Sequence, residues 1–318
     1  MTTAVVDPTR SGGKLYRFLR SIPTWVLWVI VGLWLTPTLG ILVNSFRESR
    51  IQKSTGWWNA VSEAFRFDFN NFTLENYRTV LGTSINGGMK QALTNSMAIA
   101  LPATIIPIGI AAFAAYAFAW IDFRGRQNLF IATVSLLAIP LQVALIPLLQ
   151  MYGGGAHYTI PWFDKTITLF PDLDLQGTTT AVWLSHTAFG LPFAIFLLHN
   201  YISSLPRDLF EAARVDGADH FKIFWRLVLP LSVPVIAAFA IFQFLWTWND
   251  YLIAVVMIGA NRDNFPSTVT IANQAGEFGQ FEHLLPAGAF IQSAVPLAVF
   301  FMLQRFFVRG ILAGSVKG

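Results

Sequence analysis

The chain has 318 residues, of which 54% are hydrophobic and only 12% are charged, and its formal net charge is +4. A soluble domain of ordinary composition does not bury that much apolar surface, so the composition favours an integral membrane protein. The absence of cysteine excludes disulfides, thiol catalysis and thiolate metal sites.

Six apolar stretches are long enough to cross a bilayer. A helix needs about 20 residues to cross roughly 30 Å of hydrocarbon, and it satisfies its own backbone groups there. The sequence therefore predicts an all-α protein with a six-helix transmembrane domain over residues 25–306. We place the spans at about 25–46, 92–119, 129–151, 179–200, 231–258 and 285–306.

The first 24 residues form a predicted N-terminal tail. Within it, "KLYRFLRSI" places Leu15, Phe18, Leu19 and Ile22 at helical spacing, with basic residues elsewhere on the helix. This pattern suits a short helix in the lipid interface, although the same basic residues could serve only to set the orientation. Adjacent membrane explains these bases and aromatics better than nucleic acid does.

The distribution of Lys and Arg predicts which side is cytoplasmic. With a cytoplasmic N-terminus, 13 of the 21 Lys and Arg lie inside. Six of the remaining eight lie in the long first outside loop, 47–90, and long loops carry little weight in this rule. We therefore expect both termini, the loop 201–229 and the tail 307–318 in the cytoplasm, with residues 153–178 and 260–284 outside.

The fourth span is the weakest of the six because His186, Pro192 and His199 interrupt it. His186 is the one histidine expected inside the membrane. A hydrogen bond between helices is a better interpretation of His186 than a catalytic role.

Mixed charge is concentrated in the loop 201–229, where "SSLPRDLFEAARVDGADHFKIFWRLVL" predicts a helix, a turn and a second helix. Ser204 is the expected cap, Pro206 the first-turn residue and Gly217 the stop signal. Pro230 marks entry to the next span. Because this connection between two spans carries helix start and stop signals along its length, it indicates a docking element. The alternative is a solvated loop.

One carboxylate, Asp250, falls inside the predicted fifth span. A charge at the bilayer centre costs roughly 2.5–3.5 kcal/mol, so Asp250 is expected to face protein or water. With Trp246, Trp248, Asn249 and Tyr251 it combines flat aromatic faces with polar groups, a mixture that suits a sugar. The same residues could instead form an interfacial belt.

Several chemistries have no motif in this chain. It has no Gly-x-x-x-x-Gly-Lys-Ser/Thr phosphate loop, no His-Glu-x-x-His and no Gly-x-Ser-x-Gly. We therefore expect no catalytic residue, no metal site and no cofactor bound by the chain itself. An enzyme within the membrane or a proton-coupled secondary transporter, each using Asp250, remains the alternative interpretation.

The loop resembles the EAA loop of bacterial ABC importer permeases. That pattern runs Glu-Ala-Ala, three residues, Gly, nine residues, Ile, one residue, Leu-Pro. This chain has Leu227 in place of the Ile and otherwise matches at Glu211, Ala212, Ala213, Gly217, Leu229 and Pro230. The extended "DGA" of Asp216 to Ala218, "WTWNDYL" and the ending "FFVRGILAGSVKG" are similar to MalG-type carbohydrate permeases, over about residues 70–318.

The resemblance implies a type I ABC importer permease in a bacterial inner membrane. Its partners would be a second, MalF-like permease, a MalK-like ATPase dimer that holds ATP and Mg²⁺, and an extracytoplasmic sugar-binding protein. Glu211 to Gly217 would be the coupling helix, residues 260–284 would reach the binding protein, and the C-terminal tail would enter the ATPase interface. The expected substrate is a di- or oligosaccharide such as an α-glucoside.

Overall fold

The structure is a computed structural model that describes residues 23–66, 68, 70–82, 88–162, 165–274, 279 and 281–315. The predicted interfacial helix, "KLYRFLRSI" at 14–22, lies outside the described residues. The chain divides into two compact units, Met1–Asn76 and Tyr77–Gly318.

The first unit contains the first predicted span and a short folded loop. Its elements are α1 (Thr24–Ser45), α2 (Ser49–Ser54), α3 (Asn59–Phe65) and the start of α4 (Glu75–Gly82). The buried Arg47 organises the loop, because its guanidinium donates to the Thr55 hydroxyl at 2.6 Å and to the Gly56 carbonyl at 3.1 Å. Thr73 caps α4 by accepting from the Glu75 amide at 3.0 Å.

The second unit is built from helices and one two-stranded sheet. Its elements are α5 (Met89–Trp120), α6 (Arg126–Ser135), α7 (Leu141–Gly154), β1 (Ala156–Ile160), β2 (Lys165–Phe170), α8 (Thr179–Ser203), α9 (Arg207–Val215), α10 (His220–Leu231, with a π-helical centre at Phe224–Val228), α11 (Val233–Trp248), α12 (Leu252–Ile258), α13 (Ser267–Gln274) and α14 (Leu285–Ser315).

Four of the described helices are long and apolar enough to cross a membrane, and two bent pairs raise the number to six if each pair is one span. The third predicted span is the first bent pair, with α6 and α7 meeting at 101°. Ile139 between them is extended, and the following Pro140 favours this because proline disfavours helical backbone angles in the residue before it. The prediction of one continuous helix over 129–151 was wrong.

The fifth predicted span is also broken. α10 and α11 meet at 67° around Ser232, and α11 ends at Trp248. Asn249, Asp250 and Tyr251 lie outside regular helix before α12 begins. Asp250 is therefore at a helix break, and the prediction that 231–258 forms one helix was wrong.

The helix that looked weakest in the sequence, α8, lies at the centre of the second unit. Of its apolar stretch 56% is buried, the largest share among the four continuous candidate spans. Its Ala194, Leu198 and Ile202 pack in one core cluster with Ala111 and Ala115 of α5, whose small side chains allow close approach. Its polar residues Ser185 and His186 are fully buried. They lower the mean hydropathy of the helix although they face protein, which explains why the sequence made this span look weak.

The last helix, α14, continues to Ser315 and so carries helical backbone into the predicted tail 307–318. Between α7 and α8 the chain forms an antiparallel hairpin of β1 and β2. Because α8 is 25 residues long, it separates the hairpin from α9 by about 37 Å along its axis. The hairpin and α9 therefore lie at opposite ends of this helix.

Candidate functional site

The helix α9 begins sharply after the end of α8. Pro206 occupies its N-cap position with extended backbone, where its missing N–H costs nothing. The predicted cap, Ser204, instead closes α8 with helical backbone angles, and its hydroxyl donates to the Tyr201 carbonyl at 2.7 Å. The Ser204 prediction was wrong because α8 runs three residues further than expected.

A Schellman motif ends α9 at the "DGA" sequence. The Gly217 amide donates to the Arg214 carbonyl at 3.0 Å, and the Ala218 amide donates to the Ala213 carbonyl at 2.9 Å. Gly217 has φ +77°, a conformation that glycine adopts without a Cβ penalty. The predicted stop at Gly217 is confirmed, and Asp216 is the C-cap residue.

Asp219, which directly follows Ala218, is the N-cap residue of α10. Its carboxylate accepts from the Lys222 amide at 2.8 Å, as a helix N-cap does. The Tyr116 hydroxyl from α5 hydrogen-bonds His220 Nδ1 at 2.8 Å, and Phe113 stacks on Phe224 with ring centroids 4.4 Å apart. These contacts hold the second arm of the loop against α5.

The widened turn in α10 immediately precedes the Leu229-Pro230 end of the EAA pattern. Pro230 has no N–H to donate to the Arg226 carbonyl, so one α-helical bond is lost there. The five residues Phe224–Val228 adopt π-helix instead. Single π turns of this kind occur frequently at functional sites.

One aromatic contact anchors α9 to the membrane domain. Phe210 is only 2% exposed and stacks on Trp120 with ring centroids 3.6 Å apart. The Trp120 indole N–H donates to the Ile202 carbonyl at 3.2 Å, which fixes the ring at the end of α8.

The rest of α9 is open to a partner. Phe210 and the half-buried Ala213 face the protein, while Glu211, Ala212 and Val215 are exposed. A cavity of about 420 Å³ lies beside Phe210 and is edged by Glu211 and Arg214. The structure thus holds one side of α9 against the protein and presents the other side, where Glu211 and Ala212 of the Glu-Ala-Ala sequence are exposed.

The break after α11 brings Asp250 and His186 together. Asp250 caps α12 by accepting from the Ile253 amide at 3.3 Å and the Ala254 amide at 3.0 Å. Its Oδ2 also lies 3.4 Å from Nε2 of the fully buried His186. The two side chains thereby connect α8 to the break. Their polar atoms lie close together, but their geometry is not that of a hydrogen bond.

Three of the four predicted pathway residues line one open cavity. It measures about 630 Å³ and includes Asn249, Asp250 and Tyr251 together with Trp246. Trp248 lies elsewhere: it is 1% exposed, stacks on Phe244 and donates its indole N–H to the Gln292 carbonyl at 3.2 Å. Trp248 therefore packs inside the protein, while Asn249, Asp250 and Tyr251 line the open cavity.

A second, smaller cavity reveals residues that the sequence did not single out. It measures about 210 Å³ and shares Phe242 and Trp246 with the first cavity. The buried Gln243 donates to the carbonyls of Ala103 at 3.1 Å and His186 at 3.2 Å. A Cβ at Gly190 would lie 2.6 Å from Gln243 Oε1, so the glycine leaves room for the amide in this position.

No local signal in the sequence marks Gln243, because a single amide in an apolar run has no pattern. Among the residues that the structure describes, no group of three His, Asp or Glu side chains could hold a metal ion.

This membrane domain holds one helix in place with an exposed side for a partner, and it has a polar break in a membrane span. Both features are typical of a transport subunit that is driven by another protein. The family of binding-protein-dependent transport system inner membrane components matches residues 105–313. The chain belongs to this family. It is an inner-membrane ABC importer permease, a transport subunit and not an enzyme, and permeases of this kind work with an ATPase and a periplasmic binding protein.

Characterised relatives cover most or all of the chain. The osmoprotective compounds uptake permease protein GgtD of Synechocystis is 49% identical over 100% of both chains. The α-glucoside transport system permease protein AglG of Rhizobium meliloti is 51% identical over 78% of this chain and 61% of its own length. The arabinooligosaccharides permease AraQ of Halalkalibacterium halodurans is 30% identical over 89% of this chain and 91% of its own.

A solved structure has the same fold. A chain of a bacterial ABC transporter that imports the acidic polysaccharide alginate superposes with a TM-score of 0.67 at 16% identity, covering 92% of this chain and 98% of that chain. The predicted type I importer permease fold is confirmed, and neither the secondary-transporter nor the enzyme interpretation is favoured.

Proposed function

We propose that this permease imports a di- or oligosaccharide, such as an α-glucoside, and that α9 couples import to ATP hydrolysis by a separate subunit. The observation that carries the coupling role is the construction of α9. Phe210 and Trp120 fix its position, the motif at Gly217 ends it, and Glu211 and Ala212 remain exposed. Movement of a bound ATPase would be transmitted to α5 and α8 through the stacked rings of Phe210 and Trp120.

The substrate proposal rests on the relatives and on the cavity. Two relatives are named for an α-glucoside and for arabinooligosaccharides, and a third is named for osmoprotective compounds. The larger cavity offers an indole and a phenol beside an amide and a carboxylate. Aromatic faces and polar groups together suit a sugar ring with apolar faces and hydroxyl edges.

We further propose that Asn249, Asp250 and Tyr251 line the translocation pathway and that Trp248 holds them in place. The Asp250 side chain is only 12% exposed and lies in a break between helices, where it avoids the cost of facing lipid. Broken helices within a membrane are tolerated where they line a cavity or are covered by protein.

The proposed assembly contains a MalF-like permease, a MalK-like ATPase dimer with ATP and Mg²⁺, and a sugar-binding protein. Without the long loop 47–90, the side that carries α9 and both termini has 13 Lys and Arg and the other side has 2, an asymmetry that supports a cytoplasmic α9 and cytoplasmic termini. Because the hairpin lies at the other end of α8, this orientation puts it outside with the loop 260–284.

The charge of Glu211 provides a test of coupling. If the ATPase groove is basic, Glu211→Lys places like charges together, a penalty of several kcal/mol in a poorly hydrated interface. We expect ATPase binding to weaken by about tenfold or more, since about 1.4 kcal/mol corresponds to tenfold. The measurement is co-purification with the ATPase, followed by sugar-stimulated ATP hydrolysis in proteoliposomes.

Two further variants make this test specific. Glu211→Gln keeps the shape of the side chain and is expected to weaken binding less than Glu211→Lys. Asp172→Lys makes the same charge change at an exposed position in the segment between the hairpin and α8, and it is expected to leave binding unchanged. Unchanged ATPase binding and unchanged coupled hydrolysis in Glu211→Lys would count against α9 as the docking helix.

A further inference from the structure

The hairpin of β1 and β2 has two chemically different faces. The register pairs His157 with Thr168 and Thr159 with Thr166 on one face. There the His157 ring lies 3.2 Å from the Thr168 hydroxyl, and the two threonine hydroxyls of the other pair are 3.0 Å apart. This hydroxyl face is polar over these two pairs, and Phe170 follows at its base.

The opposite face of the hairpin is apolar. Since side chains alternate along a strand, Tyr158 and its partner Ile167 share this face with Ile160 and Leu169. Tyr158 is 55% exposed and Leu169 is 72% exposed. The apolar face is thus uncovered, and Trp162, just beyond the end of β1, is 90% exposed.

The base of the hairpin is fixed to the end of α7. Only Gly155 separates α7 from β1, and its φ of +72° makes the turn. A Cβ at Gly155 would lie 2.8 Å from the Phe170 carbonyl, so the two strands emerge tightly packed. The Leu175 amide also donates to the Tyr152 carbonyl of α7 at 2.9 Å. The ribbon is held at the end of a membrane span.

We infer that the apolar face of this hairpin lies on the bilayer surface, on the side opposite α9. An isolated two-stranded hairpin is marginal in water, so its apolar side needs a cover. Five residues of β1 extend at most about 17 Å, which keeps the ribbon close to the headgroup region where α7 ends. The hairpin is the β counterpart of an amphipathic interfacial helix.

The chemistry of the exposed residues favours lipid over a soluble partner. Tyr158 and Trp162 belong to the residue types that concentrate at headgroup level. Lys165 lies on the apolar face beside them, where its long stem can follow apolar surface while its ammonium reaches lipid phosphates. Val143 and Ile146 of α7, the helix that leads into the hairpin, are also exposed apolar side chains.

The cysteine-free chain allows a direct test with spin labels. Single cysteines at Thr166, Ile167, Thr168 and Leu169 would be labelled in the complete importer, in nanodiscs of phosphatidylethanolamine and phosphatidylglycerol. Accessibility to oxygen, which partitions into lipid, would be compared with accessibility to a water-soluble nickel chelate. We expect oxygen to be favoured at Ile167 and Leu169 and nickel at Thr166 and Thr168, a period of two.

The outcomes separate lipid from protein and from water. Nickel access at all four positions would overturn the inference, since the apolar face would then lie in water. Shielding of Ile167 and Leu169 from both reagents when the binding protein is added would also overturn it, because a protein would be the cover. A label at Tyr158, opposite Ile167, repeats the test on the other strand. The result does not depend on which sugar is imported, so uptake assays test the proposed function separately.

Discussion

Gly217→Val is expected to uncouple the importer while leaving its membrane insertion intact. Valine at φ +77° costs at least about 1–2 kcal/mol, because its Cβ approaches the neighbouring carbonyl. Apart from Gly217 itself and its two chain neighbours, no atom lies within 4 Å of a Cβ built at this position, so the penalty is one of backbone conformation and not of crowding by the rest of the protein. The strain would open the turn that aims α9 and aligns α10.

The readout is ATP hydrolysis stimulated by the sugar-loaded binding protein, measured beside uptake. We expect Gly217→Val to lose most of the stimulation. Gly217→Asn is the matched rescue, since asparagine tolerates the left-handed conformation and closes helices in the same way. A Gly125→Ala variant, also at positive φ and in open space, should retain coupling. Equal stimulation in Gly217→Val and wild type would contradict the role of the turn.

Asp250→Leu is expected to abolish most uptake. The leucine removes the acceptor for the Ile253 and Ala254 amides, and loss of such a cap costs about 0.5–2 kcal/mol. It also removes the polar neighbour of the buried His186, leaving that imidazole against hydrocarbon. Uptake and assembly of the importer would be measured together, and assembly should persist because the main core clusters do not include Asp250.

A second pair of variants separates a pathway role from a capping role. Asp250→Asn keeps an oxygen that can cap α12 but removes the charge, so a pathway residue should show a changed sugar preference. Thr268→Val removes the hydrogen bond of 2.6 Å to the Asp250 carbonyl and loosens the break without changing the carboxylate. An unchanged sugar preference in Asp250→Asn, or the same change in Thr268→Val, would assign Asp250 a structural role alone.

Local signals predicted the docking element well. Glycine at the end of a helical run and an acidic residue two positions later dictate a Schellman turn followed by an N-cap, and both form at Gly217 and Asp219. Leu209, Phe210, Ala212 and Ala213 are the apolar or small side chains around the centre of α9. Only Phe210 and Ala213, three residues apart, turn inward. Which stripe of a helix is buried depends on Trp120, a residue of another helix.

The breaks in the spans could not be predicted from hydropathy. Pro102 and Pro107 lie within the continuous α5, and Pro192 lies within the continuous α8, whereas Pro140 marks a sharp bend. Proline frees a backbone carbonyl in every case, and packing by neighbouring helices decides whether the helix continues. The positions of Gln243 and Trp248 depend in the same way on partners distant in sequence.

Site-specific cross-linking tests the central claim, that α9 is the contact with the ATPase, most directly. A photoactivatable group would be attached to Ala212→Cys, an exposed position of α9, and to Thr166→Cys on the hairpin at the other end of α8. In membrane vesicles containing the whole importer, we predict a cross-link from position 212 to the ATPase and none from position 166. A cross-link to the ATPase from position 166 and none from position 212 would contradict both the coupling role of α9 and the orientation of the protein.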